Sequence, residues 1–192
     1  MGRALRTVAG GLAYHVLNRA NARMRTFDDA KDHEAFERIL AEAVLRVRMR
    51  VLAYCVMPNH WHLYQGRFKS FLVESDEHLW TVCRYVERNA LRAGLCARAE
   101  QWRWSSLWRR EFGDAECRKV LSKWPIDVPK DWVNRVNRAE RRGELEALRR
   151  CVNRGQPFGG EDWVDRMTKR FGLDSLFRPR GRPCNESQNN GS

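Results

Sequence analysis

The sequence predicts an α+β fold, on three observations. β-compatible apolar runs at residues 12–18, 50–57 and 60–63 read as strands. Between and after them, apolar residues recur at the three-and-four spacing of helical faces. Past residue 111 the helical pattern takes over, so the order strand, helix, strand, strand, helix is followed by a mainly helical C-terminal extension.

The first strand, residues 12–18, follows the Gly10-Gly11 break, and turn-forming and basic residues succeed it up to Arg25. His15 lies on this strand, where a backbone-bonded core histidine is the ordinary expectation. A helix is expected from Asp28 or Asp29 to about Val47, with Phe36, Ile39, Leu40, Ala43, Val44 and Val47 on the face that packs against the sheet. Residues 50–57 alternate Leu52, Tyr54 and Val56 against Val51, Ala53 and Cys55, which leaves both faces apolar as in a sheet interior. Pro58-Asn59 interrupts, and residues 60–63 resume as a strand. Residues 67–73 form a further strand.

Side chains two apart on a strand share a face, so His60 and His62 present two imidazoles together while Trp61 turns to the opposite layer. That arrangement suits a divalent metal, although two histidines alone leave it wanting an oxygen ligand. Two unrelated histidines would show the same spacing. Downstream, Ser75, Asp76 and Glu77 start a helix whose apolar face is Leu79, Val82, Cys83 and Val86, and Gly94 stops it. Tyr85 and Asn89 lie four apart and project from one side of that helix. A phenol and an amide displayed together can serve as nucleophile and metal ligand; packing and capping are the plainer roles for the same two residues.

Composition narrows the partner. The 192 residues carry a net charge of +12 and a pI near 10.0, with 43% hydrophobic residues. This is enough for a core in one main domain with an appendage, and the charge points to a polyanion. Nucleic acid is favoured over a membrane because no apolar run is long enough to span a bilayer. Six scattered cysteines, with no Cys-X-X-Cys pair and no secretory segment, predict reduced thiols in a cytosolic compartment.

Several motifs together resemble the single-tyrosine HUH transposases of bacteria, in particular the REP-associated branch of the insertion-sequence transposases. They are Gly10-Gly11-Leu12-Ala13-Tyr14-His15-Val16, Asn18-Arg19-Ala20-Asn21, Met57-Pro58-Asn59-His60-Trp61-His62, Gln65-Gly66-Arg67-Phe68-Lys69-Ser70, Arg84-Tyr85-Val86-Glu87-Arg88-Asn89 and Trp102-Arg103-Trp104-Ser105-Ser106. The resemblance implies a ferredoxin-like (HUH) sandwich, antiparallel sheet with packed helices, over residues 10–110. It implies His60, His62 and Asn89 as ligands of Mg²⁺ or Mn²⁺ and Tyr85 as the nucleophile. Tyr85 would cleave and rejoin single-stranded or hairpin DNA through a covalent 5′-phosphotyrosine. A homodimer and a bacterial cytoplasmic, nucleoid-associated location are further implications.

One departure stands out. Where the family continues the histidine strand and inserts a loop and a long helix, Leu63-Tyr64 here runs straight into Gln65. An internal deletion near residues 63–65 is the simplest reading, and it predicts a sheet with an uncovered face or edge and lowered solubility. Ala90 also stands where the family has proline. Enzymatic activity is therefore an open matter, with a catalytically impaired DNA-binding remnant as the alternative and a metal-dependent phosphodiesterase acting on RNA as a third reading.

Arg67, Lys69, Arg84, Arg88, Arg180 and Arg182 are the expected nucleic-acid contacts. In residues 111–177, Trp124-Pro125 and Val128-Pro129 mark a connection. Helices at 144–152 and 161–171 follow, around the turn-rich Arg154-Gly155-Gln156-Pro157-Phe158-Gly159-Gly160. The pair suits either a helix-turn-helix DNA reader or an ordinary helical hairpin. In the tail, 178–192, Arg178-Pro179-Arg180-Gly181-Arg182-Pro183 resembles an AT-hook core, and the polar residues after it predict disorder.

Overall fold

The computed structural model describes residues 9–19, 25–61 and 69–178. The fold is α+β. Strand β1 (Ala13–Arg19) leads to helix α1 (Ala30–Val47), then to β2 (Val56–Met57), β3 (His60–Trp61) and β4 (Lys69–Val73). The sheet order is β2-β3-β1-β4 with every pairing antiparallel. β1 and β2 thus run parallel with β3 between them, the split β-α-β arrangement of ferredoxin-like folds.

β3 and β4 flank β1 and both oppose it, so they run parallel to each other. β3 pairs with β1 at Asn18 and Arg19, and β4 takes over on the other side from Leu17 to Ala13. Such a crossover ordinarily takes about a dozen residues or more, and usually a helix. Here only residues 62–68 separate the two strands, and among the described residues no helix lies between them.

The helix that carries Tyr85 is α2 (Glu77–Glu87), continued past Arg88 by α3 (Asn89–Arg92). Asp76 caps it, accepting from the His78 backbone N–H at 2.9 Å. Leu79, Val82, Cys83 and Val86 are all buried, as their spacing predicts. Gly94 takes φ +70°, and the Leu95 N–H returns to the Ala90 carbonyl, which ends the helix where only glycine is unstrained.

α1 differs from expectation. Its buried residues are His33, Glu37 and Leu40, whereas Ile39 is 64% and Val47 65% exposed. Charge pairing sets this rotation. Glu37 accepts from the Tyr54 hydroxyl at 2.6 Å and pairs with Arg109 at 2.8 Å, so the helix turns a carboxylate inward and an isoleucine outward. It packs on Val51, Tyr54 and Val56 in a second core cluster with Phe27 and Val120.

The segment 50–57 is buried on both faces as predicted, but it is ladder strand only at its end. Its other backbone groups pair outside the sheet. Val56 N–H donates to the Trp104 carbonyl at 2.9 Å, Ser106 N–H to the Tyr54 carbonyl at 2.9 Å, and Ser122 N–H to the Val51 carbonyl at 2.8 Å. Residues 102–106 thereby cover the β2 edge, with Cys55 and Ser105 forming a bridge. At the other edge Phe158 bridges Val73, its N–H donating to Leu72 and its carbonyl accepting from Glu74. The expected uncovered edge is therefore closed on both sides, because distant chain segments supply the missing backbone partners. What is exposed instead is apolar surface on α1: Ile39, Leu45 and Val47.

The remaining helices are α4 (Ser106–Phe112), α5 (Ala115–Arg118), α6 (Trp132–Asn137), α7 (Arg142–Arg154) and α8 (Glu161–Phe171). Trp132, Val136, Leu148, Cys151 and Val152 of α6 and α7 share one hydrophobic cluster with Met57, Phe71, Val73 and the α2 face. Cys55 and Cys83 are buried free thiols, and burial pushes Cys55 up to about 12, as suits core packing.

Glu87 joins the layers. With no exposed surface, it accepts from Ser106 Oγ at 2.5 Å, Arg110 Nη1 at 2.9 Å and Trp132 Nε1 at 2.7 Å. Burial drives its carboxyl above the ordinary value, opposed by Arg110 and the Ser106 and Trp132 hydrogen bonds. Replacing Glu87 with Ala strands three donors and is expected to cost about 3–5 kcal/mol in denaturant unfolding. On α1, Leu40→Ala is expected to cost about 2–5 kcal/mol, while Ile39→Lys changes stability by less than about 0.5 kcal/mol.

Candidate functional site

His60 and Asn89 come together from different elements. His60 opens β3 and Asn89 opens α3, both nearly buried, with Asn89 Nδ2 3.1 Å from His60 Nε2. Tyr85 sits one turn before Asn89, half-buried, its backbone carbonyl accepting from Arg92 Nη2 at 2.9 Å. The Arg92 guanidinium lies over the Tyr85 ring, 4.1 Å from its centroid, and Nη1 donates to Asn89 Oδ1 at 3.2 Å.

Donor and acceptor rules then specify His60. Asn89 offers its N–H₂ to Nε2, so Nε2 presents a lone pair. The proton is on Nδ1, which donates to Asn59 Oδ1 at 2.6 Å. This is the tautomer of a metal-binding histidine: a bare Nε2 toward the site and Nδ1–H held by an outer carbonyl. His60 therefore fits the expected divalent ion. For Asn89 to turn its oxygen toward His60, the amide must flip and give up Arg92.

Of the other expected residues, His62, Arg67, Arg180 and Arg182 lie outside the described residues, as does the AT-hook-like tail. Lys69 opens β4, opposite Leu17. Arg84 and Arg88 face the C-terminal region. Arg84 donates to the Arg138 and Ala139 carbonyls at 2.9 Å and pairs with Glu144 at 3.4 Å. Arg88 donates to the Val136 carbonyl at 2.9 Å and pairs with Glu140 at 3.0 Å. Glu140 also pairs with Arg92. Burial alone would raise the Glu140 carboxyl, but Arg92 and Arg88 hold it below the ordinary carboxylate range.

His15 is buried on β1, stacked on Phe71 with its ring centroid 6.2 Å from that of Tyr85. Burial lowers its pKa to about 4, so it is neutral and serves as part of the wall behind the tyrosine. A separate group, Glu74, Asp76 and His78, has ligand atoms within 4.8 Å of one another. Its oxygens are engaged in structure: Asp76 caps α2 and bonds His78 Nδ1 at 2.8 Å, and Glu74 accepts from the Gly160 N–H at 2.8 Å.

Three residues of the site have no place in the expected set. Arg92 lies three residues after Asn89 and seven after Tyr85, a spacing that puts all three on one helical side and was available as a signal. Asn59 directly precedes His60. Glu140 carries no local signal at all.

Residues 9–65, less than a third of the chain, match the family model described as "Transposase IS200 like". The match takes in β1, α1 and the histidine motif and stops short of Tyr85 and Asn89. No curated protein and no solved structure matches the chain. No helix among the described residues is long and apolar enough to cross a membrane.

Imidazole ¹⁵N spectra of the metal-free protein at neutral pH are expected to show His60 as the Nδ1–H tautomer. Asn59→Ala removes the acceptor that selects it and is expected to bring the Nε2–H form into the spectrum.

Proposed function

We propose that this chain is a transposase-type protein of the REP-associated kind that breaks and rejoins single-stranded or hairpin DNA, with Tyr85 as the attacking group. The reading rests on the similarity of residues 9–65 to IS200-like transposases. The observation that carries it is the meeting of His60 with Asn89 at 3.1 Å, one helical turn from Tyr85. A divalent ion, Mg²⁺ or Mn²⁺, would be held by His60, His62 and Asn89 and, when bound, would polarise the scissile phosphate and offset its developing charge.

In the reaction, Tyr85 Oη forms a bond to phosphorus and gives up its proton to solvent. The bond from phosphorus to the 3′ oxygen breaks, and that oxygen takes a proton to become a free 3′-hydroxyl. The 5′ phosphate stays on the tyrosine. Attack by a 3′-hydroxyl on this phosphotyrosine reverses the exchange, so no nucleotide cofactor is required. His60 and Asn89 orient one side of the site. His15, Phe71 and Arg92 hold the tyrosine ring from the other.

The second reading is a DNA-binding remnant without strand transfer. It is favoured by the short crossover at residues 62–68, which supports an internal deletion, and by the engagement of Arg84 and Arg88 with Glu144 and Glu140.

Incubation with labelled single-stranded hairpin oligonucleotides and Mn²⁺, followed by denaturing electrophoresis, separates the two. Strand transfer requires a covalent protein–DNA adduct that is lost in Tyr85→Phe and with chelator. A native-gel shift with no adduct in either protein leaves the remnant reading standing.

A further inference from the structure

We propose that Arg92 is the positioning residue of this site. Anchored by Glu140, it sets the direction of the Asn89 amide and, through it, the tautomer of His60, while its flat face holds the Tyr85 ring. The inference deepens the strand-transfer reading and rests on it.

The polar chain through the site runs from Glu140 to Arg92, Asn89, His60 and Asn59. Asn59, Asn89 and His60 can each exchange donor and acceptor by a ring or amide flip or a tautomer change. A guanidinium can only donate. Arg92 Nη1 therefore requires an oxygen from Asn89, at 3.2 Å, which leaves Asn89 Nδ2 to face His60. His60 must then accept at Nε2 and carry its proton on Nδ1, toward Asn59 Oδ1. One group without a reversible role dictates the direction of every bond after it.

Arg92 is itself held on three sides. Nη2 donates to the Tyr85 carbonyl at 2.9 Å and pairs with Glu140, and the guanidinium plane covers the Tyr85 ring at 4.1 Å. Glu140 lies in the turn between α6 and α7, and its side chain is only 8% exposed. A carboxylate from the C-terminal region thus positions a cation beside the proposed nucleophile. Lysine keeps the charge but has a single nitrogen, so it serves the amide direction without the fork that reaches Tyr85 and Glu140 together.

Two measurements on the full-length protein test this. In ¹⁵N spectra of metal-free protein, Arg92→Gln is expected to introduce the Nε2–H tautomer at His60, Glu140→Gln to do so partially, and Arg92→Lys to keep the wild-type tautomer. A His60 tautomer unmoved in both Arg92→Gln and Glu140→Gln overturns the proposal. If Arg92→Gln does not fold, the charge-swapped pair Arg92→Glu with Glu140→Arg decides. It restores the ion pair but puts an acceptor against Asn89, so recovered folding with an altered tautomer is expected, and recovery of both overturns the positioning role.

In the adduct assay with hairpin oligonucleotide and Mn²⁺, Arg92→Gln is expected to lower the maximal rate by about 100-fold while oligonucleotide affinity changes by less than about 3-fold. The opposite split, affinity lost and rate kept, makes Arg92 a DNA contact and overturns the proposal. Absence of any wild-type adduct overturns the strand-transfer reading alone, and the His60 spectra still decide the role of Arg92.

Discussion

A single carboxylate with no contact to solvent holds the Tyr85 helix in place. Glu87 is bound by Ser106, Arg110 and Trp132, and each donor comes from a different part of the chain beyond α3. A buried charge is tolerated only with its partners in position, so the three elements must assemble together. Ser106 passes the constraint on by exchanging hydrogen bonds with the Tyr54 backbone, which seats the segment before the histidine motif. Histidine strand and tyrosine helix are in this way referenced to the same buried group.

The C-terminal region completes the arrangement and is not an appendage to it. Phe158 closes the β4 edge, Leu148 and Val152 enter the main core, and Glu140 binds the two arginines that flank Asn89. The expected helix-turn-helix connection is, in the fold, a strand-like addition to the sheet. This is also how a sheet with so short a crossover between β3 and β4 avoids an open edge. The arginines on one face of α2 and α3 are absorbed by acidic residues from this region, so the high net charge is not spread evenly over the surface near Tyr85.

Much of the site was legible in residue spacing. His60 on a strand, Tyr85 and Asn89 four apart on a helix, and the helix stop at Gly94 are local patterns, and the structure has His60 and Asn89 in contact. Arg92 obeyed the same spacing rule and was overlooked because an arginine on a basic chain looks like solvated surface. Asn59 reads as part of a turn with Pro58; only its contact with Nδ1 shows that it selects a tautomer. The α1 face was misassigned because hydrophobic periodicity counts Ile39 and Val47 as core, and nothing local shows that Glu37 has Tyr54 and Arg109 waiting for it.

The sequence alone determined the α+β order of elements, the stripe Leu79, Val82, Cys83 and Val86, the end of the Tyr85 helix and the basic character of the chain. Side-chain periodicity and φ preference act over a few residues, and charge is a simple sum. The tertiary structure decided which way α1 faces, how both sheet edges are closed, and which hydrogen-bond direction runs through Arg92, Asn89 and His60. Those outcomes depend on desolvated charges finding partners 48 to 72 residues away, a pairing that buried geometry selects and local pattern cannot encode.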